Sequence, residues 1–180
     1  IAASTSLFGD SDWAVRLPAP LLHTFDAAAL FHLGCTMYGA KAGLLAGLVY
    51  ALMPGGVLSS AVMSTDGVLQ PFWSIALVML WRLREGTGGW LTAITLGAAI
   101  GVGFLSKYAM VYFLIGLALV SLIEPQSRRA LLSLKGLAAL ALAAAIFAPH
   151  MLWIAANDFK TVIHTVDNAN LGGELFNLDH

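Results

Sequence analysis

Residues 88–124 read GGWLTAITLGAAIGVGFLSKYAMVYFLIGLALVSLIE, and between Gly88 and Glu124 they hold one charge, Lys107. A single straight helix over this stretch would far exceed the hydrocarbon core, at about 1.5 Å per residue against about 30 Å of bilayer. Two spans meeting at a tight turn near Ser106 and Lys107 fit it better. Gly97, Gly101 and Gly103 give the first of them a small-residue pattern of the kind that lets helices pack closely.

The rest of the chain has the same character. Of 180 residues 59% are hydrophobic and 11% charged, with a mean hydropathy of +0.82. Soluble domains carry about 25% charged residues, because a water-facing surface needs that polar skin. Nine basic and ten acidic side chains cannot supply it. The composition therefore excludes a free cytosolic enzyme, a disulfide scaffold and a disordered tail. A net charge of −1 with no basic stripe also excludes a nucleic-acid binder.

Uncharged runs of about 20 residues mark the spans. The expected fold is an all-α polytopic bundle with six of them: 17–38, 42–61, 67–83, 89–105, 108–123 and 135–155. The first is the weakest, interrupted by His23, Asp26 and His32. The connections after spans one, three and five hold Lys41, Arg82, Arg84, Arg128, Arg129 and Lys135, six of the nine basic residues. That side is expected to be cytoplasmic. The other side holds Arg16, Lys107 and Lys160 with most of the acids, and residues 167–180 read as the start of an outer loop. The chain opens at Ile1 without a methionine or a signal peptide, and reads as a piece of a longer protein.

No phosphate-binding glycine loop, dinucleotide fingerprint, zinc-protease helix or serine elbow is present. The one cysteine, Cys35, reads as a small buried hydrophobe. The histidines do not fall at metal-ligand spacing, although His150 and His164 could face one cavity. No metal and no cofactor is called for. Attention falls instead on polar groups at membrane depth or at its outer edge, where an ionisable side chain is costly. Asp66 could cap span three. Lys107, beside Tyr108, could hold a lipid phosphate or snorkel to head groups. Arg16 beside Pro18 reads first as a head-group anchor. His23 and Asp26, one turn apart, could satisfy each other inside the bundle. The five tryptophans, Trp13, Trp73, Trp81, Trp90 and Trp153, read as an aromatic belt. Pro149 is expected to end or kink span six, beyond which Trp153 and Asn157 would share a face as a sugar-binding edge.

Four stretches resemble a known family. FGDSDWAVRLPAPLL (8–22), STDGVLQPFW (64–73), GVGFLSKYAMV (101–111) and APHMLWIAANDFKTVIHTV (148–166) are similar, in order and spacing, to motifs of bacterial polyprenyl-phosphate-sugar glycosyltransferases. These are the relatives of protein O-mannosyltransferase and of the aminoarabinose transferase that modifies lipid A. The resemblance implies a GT-C membrane fold in the bacterial inner membrane, with an active site open to the periplasm. It implies inverting transfer of a sugar from a polyprenyl-phosphate donor to an acceptor that the sequence does not specify. The general base would be an acid in the first outer loop, expected before Ile1, so that this stretch alone is expected to be inactive. Transferred by match, Lys107, Tyr108, Arg16, Asp66 and Trp153 are the expected donor-binding residues. The final motif departs from the family at Ile154, where an asparagine is usual, and at Phe159, where a tryptophan is.

Two other readings remain at this point. A transporter or channel would use Asp26, His23 and His32 as an ion path, and should show two related halves, which the sequence lacks. A non-catalytic membrane subunit would tolerate substitution of Asp66 or Lys107 without loss of sugar transfer.

Overall fold

The computed structural model describes residues 2–62 and 64–157, and the secondary structure it contains there is helical throughout. Two short helices, α1 (Ala2–Phe8) and α2 (Asp12–Arg16), lead into α3 (Pro18–Tyr38). There follow α4 (Ala40–Leu52), α5 (Pro54–Ala61), α6 (Thr65–Arg84), α7 (Trp90–Ser106), α8 (Met110–Ile123), α9 (Pro125–Leu132) and α10 (Leu134–Ala156). Each of the six apolar segments carries helix, with differences that have local causes.

Segment 42–61 is two helices. Met53 is extended (φ −61°, ψ 126°) ahead of Pro54, as a residue before proline prefers. Beyond α8 the chain turns through 119° into α9, again at an extended residue before a proline, Glu124–Pro125. Pro149, by contrast, does not end α10, which runs on to Ala156. Its missing N–H and ring are accommodated within the helix, as Pro71 is in α6. Serine side chains start the two longest apolar elements after α3: Ser64 Oγ accepts from Gly67 N (3.2 Å) and Ser133 Oγ from Gly136 N (3.1 Å). Asp66 is thus a first-turn acid, favourable near the positive helix end, and Ser64 is the cap.

The core is built from small residues. Ala76, Ala93, Ala99, Ala139 and Ala143 are buried with Leu96, Ile100 and Met110, where α7 packs between α6 and α10. A Cβ on Gly97 would stand 2.5 Å from the Ala139 carbonyl, and one on Gly101 2.8 Å from Ile146. The α3–α4 pair is equally tight, since a Cβ on Gly34 would stand 2.8 Å from Gly43 Cα. Large apolar side chains lie outside instead: Leu44, Leu45, Leu48 and Val49 on α4, and Tyr112, Ile115, Leu119 and Leu122 on α8, are exposed. Small residues inside and large apolar ones outside is the arrangement of a bundle whose solvent is lipid.

Helix length says less about the number of crossings. Among the described residues, α10 is long and apolar enough to cross a membrane, and α8 passes the same test only together with α9. Helices α4 and α7 are apolar but shorter. The tryptophans do not all belong to a belt. Trp73 packs on the core with its indole N–H buried, and Trp81 lies under the Arg84 guanidinium at 4.6 Å. Trp13, Trp90 and Trp153 are exposed.

Candidate functional site

The turn between α7 and α8, Lys107–Ala109, brings three of the four quoted motifs together. Lys107 is extended at the end of α7 (φ −162°, ψ 137°), and its Nζ donates to Asp66 Oδ1 at 2.5 Å across 41 residues of sequence. Both remain open to ligand, with side chains 38% and 59% exposed. Next to them the Tyr108 hydroxyl lies 2.8 Å from His150 Nε2. The imidazole is packed against Phe147 (5.6 Å between ring centres) and stacked on Trp153 (6.2 Å, planes 9° apart). Asp66, Lys107, Tyr108 and His150 line one groove of about 1010 Å³, whose other walls are mostly apolar, among them Phe104, Leu105 and Val111, with Thr65 and Ser106 at its polar edge.

The groove combines an ammonium with donors to spare, a carboxylate that orients it, a phenol–imidazole pair and greasy walls. Such a lining suits an anionic head with a hydrocarbon tail. A carboxylate does not attract an anion, and Asp66 accepts a hydrogen bond from Lys107. Of the residues expected at the site, Lys107, Tyr108 and Asp66 line the groove. Trp153 reaches it through the stack on His150. Arg16 is exposed at the end of α2 and is not in the groove lining among the described residues.

Trp153, exposed, and Asn157 come together at the end of α10, outside the groove lining. Asn157 Nδ2 donates to the Trp153 carbonyl (2.8 Å) and so closes the end of α10. His150 lines the groove although the sequence reading weighed it only as a partner of His164 at one cavity; its place after Pro149 in a matched motif was the available signal. His164, like Phe159, lies outside the described residues, and among those described no group of three or more potential metal ligands comes together.

Asp26, His23 and His32 do not form a path. Asp26 is 1% exposed and accepts from the Tyr50 hydroxyl (3.2 Å), which also reaches Gln70 Oε1 (2.8 Å). His23 stacks on Tyr50 and lies 3.4 Å from the Ala51 carbonyl, so Tyr50 stands between the two rather than their pairing directly. His32 is exposed on α3.

The fold is a helical bundle with large apolar side chains on its outside and a polar site at one end. Residues 1–153 match the dolichyl-phosphate-mannose-protein mannosyltransferase family, and the chain belongs to that family of membrane glycosyltransferases. It is 33% identical over 171 residues to the lipid A galacturonosyltransferase RgtD of Rhizobium johnstonii, an alignment that takes in 94% of this chain and 36% of that protein. The chain thus spans about a third of the length of the curated relative it matches. No solved structure matches it.

Proposed function

We propose that this chain forms the donor-binding part of an inverting glycosyltransferase, which moves a sugar from a polyprenyl phosphate to an acceptor on the outer side of the bacterial inner membrane. The observation that carries this reading is the convergence of Asp66, Lys107, Tyr108 and His150 on one apolar-walled groove. Lys107 has two N–H donors beyond the one spent on Asp66, and these stabilise the phosphate as it leaves the anomeric carbon. A carboxylate elsewhere in the whole protein takes the acceptor's hydroxyl proton as its oxygen attacks. Arg16, outside the groove, meets the head-group layer around the carrier lipid. The six apolar segments, with α4 and α5 as one broken segment, cross the membrane, and the ends bearing Lys41, Arg84 and Lys135 face the cytoplasm.

The relative RgtD, by its name, acts on lipid A, which makes a lipid A-type acceptor the first to try. The test uses the complete protein in liposomes with a polyprenyl-phosphate-linked sugar. Lys107→Ala should lower donor turnover about ten- to a hundredfold, the range for a hydrogen bond to a charged group, while Lys107→Arg retains most of it and insertion is unchanged. Equal turnover by wild type and Lys107→Ala would remove the phosphate from Lys107.

A further inference from the structure

At the opposite end of the bundle a second pocket, of about 510 Å³, lies between the α6–α7 turn and α9. Residues 82–90 and 124–135 hold five cations, Arg82, Arg84, Arg128, Arg129 and Lys135, against two carboxylates, Glu85 and Glu124. Both carboxylates are spent on Arg84. Arg129 and Lys135 both line the pocket. Lys135 Nζ gives one of its three N–H groups to the Gly88 carbonyl (2.8 Å). The exposed Arg129 guanidinium makes no hydrogen bond or ion pair with the described residues.

Helix α9 buries Ser127, Ala130 and Leu131 and turns Arg128 and Arg129 outward. Beside them Leu132 and Leu134 are 66% and 72% exposed, and Trp90, which also lines the pocket, is 53% exposed. Cations, exposed leucines and a tryptophan together mark a surface segment that sits at the boundary between head groups and acyl chains.

We propose that this pocket binds the phosphodiester head of an anionic glycerophospholipid, with the phosphate between Arg129 and Lys135 and the acyl chains along Leu132 and Leu134. A soluble phosphate compound would meet only the cations, whereas a lipid meets the cations and also packs on the apolar rim of Leu134 and Trp90. The site is separate from the groove at Lys107 and needs only the membrane location of the family.

The complete protein in neutral detergent is titrated with a fluorescent short-chain phosphatidylglycerol, and with the phosphatidylcholine analogue, by anisotropy. Phosphatidylglycerol should bind in preference, and added salt should weaken it while leaving phosphatidylcholine unaffected. Arg129→Gln with Lys135→Gln should weaken it about thirtyfold, at about fivefold per cation. Arg129→Lys alone should keep most of the binding, and Lys107→Ala all of it. Should the double variant fail to fold, the wild-type salt and head-group comparisons still decide. The proposal is overturned by equal binding of the two lipids, by unchanged binding in a folded double variant, by loss of binding in Lys107→Ala, or by displacement with inorganic phosphate at the lipid's own concentration.

Discussion

The Tyr108 hydroxyl and His150 Nε2, 2.8 Å apart, tie the α7–α8 turn to α10 at the floor of the groove. Tyr108→Phe keeps the ring packing and removes only this bond. If His150 is held for work on the donor, the complete enzyme should lose about five- to tenfold in kcat/KM, matching about 1 kcal/mol for a neutral hydrogen bond. His150→Ala should lose at least as much, and the two losses should not add, because each breaks the same link. Full additivity in steady-state sugar transfer would show that the two side chains act apart. Lys107, Tyr108 and Asp66 were legible in the sequence because each sits in a stretch that resembles a family motif. The contacts were not: Asp66 with Lys107 and Tyr108 with His150 are each more than 40 residues apart, and only the packing of three helices decides which of many polar side chains meet. For the same reason helical spacing could place Asn157 on the face of Trp153, but could not show that one of its amide N–H groups is given to the Trp153 carbonyl.

Helix α7 ends just before Lys107, and its glycines let its backbone come close to α10 while Leu96 and Ile100 fill the core. With Gly97 against Ala139 and Gly101 against Ile146, α7 and α10 approach closely, which fixes Lys107 at the end of one helix relative to His150 in the other. Gly97→Val places carbon where the Ala139 carbonyl already stands, an overpacking that costs about 1–3 kcal/mol. Gly116→Ala in α8 meets nothing within 4 Å and should stabilise the helix by a few tenths to about 1 kcal/mol. Thermal unfolding of the complete protein in detergent should therefore fall for the first and hold or rise for the second, and donor turnover should fall only with the first. A Gly97→Val protein as stable and active as wild type would mean that α7 and α10 do not depend on this contact. The small-residue pattern on α7 was readable from its spacing. That on α4, Gly43-Leu-Leu-Ala-Gly47, was equally present and passed over, and so was the break at Pro54, because an uncharged run hides a proline when charge alone delimits the helices. Helix α9 was invisible for the opposite reason: its polarity made it look like a loop.

Among the described residues, polar groups gather at two ends of the bundle, with the buried Asp26, Tyr50 and Gln70 network besides. One end carries Asp66, Lys107, Tyr108 and His150; at the other Arg84 binds Glu124 and Glu85, Ser127 donates to Glu124, and Gln126 donates to the Arg84 carbonyl (3.2 Å). The charge pattern of the loops anticipated this division, since the second end holds the cluster of arginines. It did not anticipate that one of the acids there, Glu124, fastens α6 to the corner between α8 and α9. Hydrogen bonds from Arg84, and then from Ser127, hold the Glu124 carboxyl down at about 2. A depressed carboxyl stabilises the fold fully above the ordinary glutamate value near 4.5, and that contribution fades as pH falls toward 2. Both partners are partly exposed, so salt screens the pair and the effect on stability is modest. Glu124→Gln should melt below wild type at neutral pH, and the gap should narrow steadily between about pH 4.5 and 2 as the wild-type carboxyl takes up its proton. A gap that persists undiminished at pH 2 would assign the loss to shape rather than charge, and would release the 119° turn into α9 from dependence on this ion pair.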